Sequence, residues 1–339
     1  MKAEISTDYA RAVEGFFLEY LPAERGYSQN TIYSYRDSLK LLVRFLVNEK
    51  GIKQNRIRLE MINRDCVIEF LEWYRKNGAS ISSANQRLAA LKSFAEYAQL
   101  ENIEHMATLQ GVGMIKSRKA NQSDVEYLTV DQMQALINRP DVNTPNGFRH
   151  RVILTLLYDS GCRVQELCDL KISDVHLTGT ATVRLHGKGN KTRTVVISDG
   201  TAYLLRSYTD RYCSHRLKDD PLLTNRCRKK LKRDGVSYIV NKYSTELFNE
   251  DPTFPEHVHC HMFRHSKAMH MLAAGINIIY IRDFLGHEDI STTMVYARAD
   301  NRLKEEAINK LAPKITNKTD LPDWRKDVDL MNFLNSLGH

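Results

Sequence analysis

Residues 28–51, SQNTIYSYRDSLKLLVRFLVNEKG, place Ile32, Tyr35, Leu39, Leu42, Val43 and Leu46 largely at spacings of three and four. That period puts the apolar side chains on one face of an α-helix and is incompatible with a strand, whose side chains alternate every residue. Ser28 supplies an N-cap and Gly51 a stop. The same reasoning predicts a helix from Asp8 to about Arg25, another in NRDCVIEFLEWYRKNG ended by Gly78, and a fourth in SSANQRLAALKSFAEYAQLEN. Helices of this kind bury their apolar faces against one another, so residues 1–112 are expected to form a small bundle.

The periodicity breaks over GVGMIKSRKANQSDVEY (111–127), which is rich in small, polar and basic residues; a linker is assigned to 113–125. A second domain follows over 126–312. Thr129 and Gln132 form a capping box that starts a helix. RVILTLLYDSG reads as an apolar helix ending at Gly161, and TATVRLHGKGNKTRTVVIS as two antiparallel strands around a glycine-rich turn. Helices are predicted near 201–216, 235–249, 261–274, 277–285, 291–298 and 303–311. The fold class is therefore mainly α with a small antiparallel β element. In the tail, 313–339, Trp324, Val328, Met331, Leu334 and Leu337 make an apolar stripe on a short helix that must dock to be stable.

With 339 residues the chain is long enough for two cores. It contains no apolar run of the roughly 18 residues that a membrane span needs, and no secretory signal is expected at the N-terminus. The six cysteines (66, 162, 168, 213, 227, 260) form no CxxC pair and read as reduced thiols of a cytoplasmic protein. Net charge is +8, yet residues 1–112 carry 15 basic and 14 acidic side chains. The excess is concentrated in KSRK (116–119), RLHGKGNKTR (184–193) and RCRKKLKR (226–233). A charge run is usually a solvated face; three clusters, two of them in loops, favour a phosphate backbone. Lys116, Arg118, Lys119, Lys191, Arg193, Arg228, Lys229 and Lys230 are the expected contacts.

Four stretches could carry chemistry. Arg163 in GCRVQEL sits at a helix start with Glu166 one turn on; such an arginine more often snorkels at a rim. Lys188 in GKGNK projects from a turn that lets it serve as a point charge or a proton donor. HVHCHMFRH (257–265) places His261 and His265 four apart, but Met262 stands where a zincin has glutamate and no second cysteine sits nearby with zinc-ligand spacing, so no metal is expected. His261 and Arg264, three apart, share a face better suited to an anion. Finally, His287 follows Gly286 in a turn, and Tyr296 lies on the next helix.

Arg163 in GCRVQEL, Lys188 in GKGNKTR, HxxRH at 261–265, LGH ending at His287, and Tyr296 nine residues further on resemble, in order and spacing, the tyrosine recombinase (phage integrase, Xer-like) family over about 125–300. The resemblance implies an N-terminal core-binding, SAM-like bundle and an α+β catalytic domain closing as a C-shaped clamp on duplex DNA. It makes Tyr296 the nucleophile, Arg163 and Arg264 ligands of the scissile phosphate, Lys188 the acid for the leaving 5′-oxygen, His261 an aid to proton transfer, His287 a phosphate contact, and Glu166 a support for the arginine. His257, His259, Cys260 and His265 match no catalytic role and are read as incidental or structural. The implied activity is site-specific cleavage and rejoining through a 3′-phosphotyrosine, without metal, ATP or other cofactor, on inverted-repeat core sites, by a dimer on one site and a tetramer in the synapse. With its first helix starting by about Asp8, the chain is expected to lack an arm-binding domain. A type IB topoisomerase would share the chemistry without site preference; a non-cutting DNA-binding regulator would not need the catalytic set.

Overall fold

The structure, a computed structural model, describes residues 7–119, 125–187, 191–299 and 328–336. The chain forms two compact units, 1–123 and 124–339.

In the first unit, α1 (Asp8–Gly15) is capped by the Thr7 hydroxyl and passes directly into a π-wound segment, Phe16–Glu24, that contains Pro22. Then come α2 (Gln29–Asn48), α3 (Arg64–Lys76) and α4 (Ile81–Glu101), capped by Ser28, Asn63 and Ser80. Their apolar faces meet in a core that includes Phe16, Leu42, Leu46, Phe70 and Phe94, with Phe16 and Phe94 edge to face at 5.4 Å. A further helix, α5 (Met106–Gly113), lies where no periodicity predicts one. Packing continues past it. Ile115 is buried, the Asn85 amide donates to the Arg118 carbonyl (2.8 Å), and the Arg118 N–H donates back to Asn85 Oδ1 (3.0 Å). The first part of the basic 113–125 stretch thus belongs to this unit.

The second unit is built around α7 (Pro145–Asp159), whose Val152, Ile153, Leu154, Leu156 and Leu157 are buried on nearly every side. A helix that is apolar all round must be surrounded. Around it pack α6 (Val130–Asn138), α9 (Asp199–Tyr212), α10 (Arg233–Glu250) and α11 (Cys260–Ala273). The Thr129–Gln132 capping box opens α6. Helix α8 (Val164–Asp169) follows α7 after Gly161, whose φ of +57° makes the turn. The sheet is antiparallel in the order β1 (Val175–His176), β2 (Thr182–His186), β3 (Thr192–Val196), with Leu185 opposite Arg193 and His186 opposite Thr192. Asp159 ties three elements together: it accepts from Lys267 Nζ of α11 (2.9 Å) and from the Ser198 N–H (2.8 Å) and hydroxyl (2.9 Å) at the α9 cap. Two short helices, α12 (Ile278–Leu285) and α13 (Ile290–Ala299), lie against α11. The described part of the tail is α14 (Val328–Ser336). The helix expected near 303–311, and Trp324 and Leu337 of the tail stripe, lie outside the described residues. Among the described residues no helix is long and apolar enough to cross a membrane.

Candidate active site

The site grows from the turns that end α7 and α12. Arg163 is the N-cap residue of α8, and its backbone N–H donates to Glu166 Oε2 (2.8 Å) while its guanidinium donates to Glu166 Oε1 (3.0 Å). Glu166 is only 4% exposed. Burial works against its charge, but Arg193 first and Arg163 second outweigh burial and hold the carboxyl below its ordinary range.

Arg193 departs from expectation. It is not presented to solvent as a phosphate contact. Its guanidinium reaches inward, 14% exposed, and donates to both Glu166 oxygens (2.9 and 2.8 Å) and to the Phe284 carbonyl (3.1 Å). The bidentate fit and the carbonyl bond engage all three guanidinium nitrogens with the protein's own acceptors. Gly286 allows this approach: its φ is +65°, and a Cβ there would lie 2.9 Å from Arg193 Cδ.

Arg264 is 1% exposed and, among the described residues, is held by main chain, donating to the Gly161 carbonyl (2.8 Å) and the Leu285 carbonyl (2.7 Å). Its Nε is buried without a partner. Burial, then Arg163 and Arg193, lower its pKa to about 10, so it remains a cation. Three guanidiniums therefore gather around a single carboxylate.

Tyr296 of α13 is 3% exposed. Its ring lies 5.5 Å from that of His265 and 6.4 Å from that of His287, and its hydroxyl is 2.9 Å from His265 Nδ1. Burial raises the phenol's pKa against the opposing pull of Arg264 and Arg163. His287 Nδ1 is bonded to the Thr293 hydroxyl (2.8 Å), and burial followed by the three arginines lowers its pKa to about 4, so it is neutral. His261 is exposed at the rim, its ring 4.3 Å from that of His265. Arg163, Arg193, His287, Gly187 and Lys191 line one open cleft of about 660 Å³. Lys188 lies outside the described residues. Its strands are anchored on both sides of the turn: Gly187 N–H donates to the Lys191 carbonyl (2.7 Å), His186 Nε2 meets buried Asp174 (2.9 Å), and Lys191 Nζ reaches Glu288 (2.6 Å).

The structure thus brings Arg163, Glu166, Arg264, His287 and Tyr296 into one neighbourhood, with His261 at its edge. His265, read from the sequence as incidental, touches Tyr296. In HVHCHMFRH, His257 and His259 are exposed, and Cys260 faces Ser237. Among the described residues no three metal-ligating side chains come together. Of the expected DNA contacts, Lys116, Lys119, Arg228 and Lys229 are exposed, whereas Arg118 pairs with Glu72, Lys191 with Glu288 and Lys230 with Asp169. These surface pairs are weak enough for a phosphate to displace the carboxylate.

Solved structures share this architecture. The Tn1549 transposon integrase in complex with transposon right end DNA superposes with a TM-score of 0.68 at 14% identity, covering 91% of this chain and all of that one. XerH recombinase bound to its difH substrate gives 0.62 at 23% identity over 81% of this chain and 78% of that one. Both define a recombinase fold. In sequence, residues 126–302 match the phage integrase family and 16–102 match the phage integrase N-terminal SAM-like domain. The chain is 33% identical to the integrase/recombinase y4rC of Sinorhizobium fredii over 97% of this chain and 98% of that protein. It is 30% identical to tyrosine recombinase XerD of Staphylococcus haemolyticus over 88% and 97%. The chain belongs to the phage integrase family and is a tyrosine site-specific recombinase.

Proposed function

We propose that the chain cuts and rejoins duplex DNA at inverted-repeat core sites through a 3′-phosphotyrosyl bond at Tyr296. The observation that carries this reading is Arg264: a buried cation with no carboxylate partner among the described residues, beside Arg163 and next to a buried tyrosine. Such an arrangement holds more positive than negative charge, since Glu166 is shared among three arginines, and a phosphodiester supplies the missing anion. Attack builds negative charge on a five-coordinate phosphorus, which the two guanidiniums stabilise. His287, with its Nδ1 already engaged, offers its other ring nitrogen to a phosphate oxygen. Lys188 protonates the leaving 5′-oxygen. The phosphotyrosine conserves the bond, so a 5′-hydroxyl of another strand can reverse the step without ATP. Trapping on a nicked suicide substrate should yield an adduct whose labelled peptide contains Tyr296, equally in excess EDTA. A label on another tyrosine, or loss of the adduct with chelator and its return with zinc, would overturn the reading.

A second group of residues supports duplex binding. Arg149, Arg211, Arg226 and Arg228, with Tyr208 and Tyr212, line a cleft of about 880 Å³ that has no acidic lining residue. The turn that carries Arg228 is held by Asn225, whose Oδ1 accepts from the Cys227 and Lys229 N–H groups, and Arg228 adopts a φ of +57°. Arg149 stands twelve residues before Gly161, so along α7 the two are roughly 18 Å apart, about five base pairs of duplex. Arg226→Ala with Arg228→Ala should weaken binding to all sequences about equally and reduce the salt slope by roughly 0.9 for each lost phosphate contact. An unchanged slope would place this cleft away from DNA.

The active assembly is a dimer on each site and a tetramer in the synapse, acting in the cytoplasm. Helix α14 exposes Met331, Phe333 and Leu334, apolar side chains suited to a neighbouring subunit. Deleting 320–339 should spare binding of one protomer to a half-site while weakening cooperative binding of the second. Unchanged assembly and recombination would remove the tail from this role.

A further inference from the structure

His265 sits one helical turn beyond His261, and its Nδ1 is 2.9 Å from the Tyr296 hydroxyl. No other side-chain hydrogen bond to that hydroxyl is found among the described residues. The two ring planes meet at 62°, so the rings are not stacked and the close polar contact is the one between Nδ1 and the hydroxyl. The tyrosine is nearly excluded from water, which removes solvent as a ready acceptor for its proton.

We infer that His265 is a catalytic residue: the general base that takes the Tyr296 phenolic proton during DNA cleavage and returns it during rejoining. This rests on Tyr296 being the nucleophile. The ring proton is assigned to Nε2, leaving Nδ1 as acceptor. In the forward step the Tyr296 Oη–phosphorus bond forms and the phosphorus–O5′ bond breaks. The phenolic proton passes to His265 Nδ1, and the leaving 5′-oxygen takes a proton from the Lys188 ammonium. In the reverse step each proton goes back.

The charges around His265 keep this base idle until substrate arrives. Its neighbours on α11 and just before it are Arg264, His261 and His259; from α13 it faces Tyr296. Burial, then the two histidines and Arg264, lower its pKa to about 4, so in the free protein the proton stays on tyrosine. A phosphodiester bound at Arg163 and Arg264 offsets that positive field. As charge grows on phosphorus, an imidazolium at this position becomes favourable. Desolvation thus suppresses the base, and the substrate's own charge restores it.

The test is single-turnover adduct formation by the full chain on a suicide site whose cleavage position carries a 5′-bridging phosphorothiolate. The departing thiolate needs no acid, so only activation of the nucleophile is read. Wild type should be nearly flat from about pH 6 to 9. His265→Ala should be slower by about 100-fold at pH 7, the low end of what a general base contributes, with a log rate that rises toward a slope of one as pH climbs. His265→Asn is the deciding variant. It keeps a hydrogen-bond acceptor near the Nδ1 position but cannot hold a proton, so it should match His265→Ala in rate and pH slope at wild-type DNA affinity. A His265→Asn enzyme with the wild-type rate and flat profile would reduce His265 to a positioning contact and overturn the inference. Wild-type protein that forms no adduct at Tyr296 would instead overturn the nucleophile assignment beneath it.

Discussion

Tyr296→Phe is expected to bind its DNA site as wild type does and to form no covalent adduct, with recombination reduced by roughly four orders of magnitude or more, as loss of a nucleophile does elsewhere. The substitution removes one oxygen from a ring that is otherwise packed among Ala268, Met269, Leu272, Ile281 and Leu285. Stability should therefore change little. Among the described residues the side-chain hydrogen bond lost is the one to His265, which is itself partly accessible to water and can be resolvated. Gel-shift titration beside a suicide-substrate assay separates the two quantities. A Tyr296→Phe variant that still becomes covalently attached to DNA would move the nucleophile to another residue.

Glu166→Gln should have the largest effect on folding. The carboxylate is buried, accepts two bonds from Arg193 and binds Arg163 through both guanidinium and backbone. Neutralising it leaves the mostly buried Arg193 cation uncompensated, with its Nε still bonded to the Phe284 carbonyl. Removing one partner of such a buried pair costs about 3–5 kcal/mol, measurable as a lower denaturant midpoint at unchanged slope. The pH dependence has a definite sign. The folded carboxyl titrates below its ordinary value of 4.5. Its contribution is complete above that value and is lost as pH falls through the lower, folded pKa. Wild type should lose this stability on acidification, and Glu166→Gln should lose less, narrowing the gap between them. A gap that stays constant down to the acid transition would show that the charge is not what Glu166 contributes. Arg163, deprived of its anchor, should also bind the phosphate less productively, so adduct formation should fall even where the variant is fully folded.

Much of the architecture was legible because burial repeats with the geometry of the backbone. The spacing within residues 28–51 describes α2, and Thr129 with Gln132 marks the start of α6, since both signals lie within a few turns of chain. Helix α5 was not legible: MATLQGVG has two glycines and little contrast between faces. Strand β1 has two residues, too few for any alternation. At the site, the resemblance singled out side chains that do meet in space, but two relationships escaped it. The Arg193–Glu166 pair spans 27 positions and has no local signature. One clue was available, because Arg193 shares strand parity with buried Val195 and so points inward. The bond between His265 and Tyr296 spans 31 positions and depends on how α13 returns to α11, which no periodicity encodes. The basic clusters were read from charge alone, and charge does not reveal that Arg193 is spoken for.

Among the described residues the hydrogen bonds that hold Arg264 go to two carbonyl oxygens, those of Gly161 and Leu285, and not to side chains. Carbonyls belong to every residue type. The bond at 285 is therefore made by the backbone, while the Leu285 side chain packs in the apolar cluster with Tyr296. Only the shape of the two turns must be kept, and glycines at 161 and 286 keep it. This makes the phosphate-binding position tolerant of drift in the wall that encloses it. Apolar residues around the arginine can be exchanged for others of similar volume, in the laboratory or over generations, without detuning the centre.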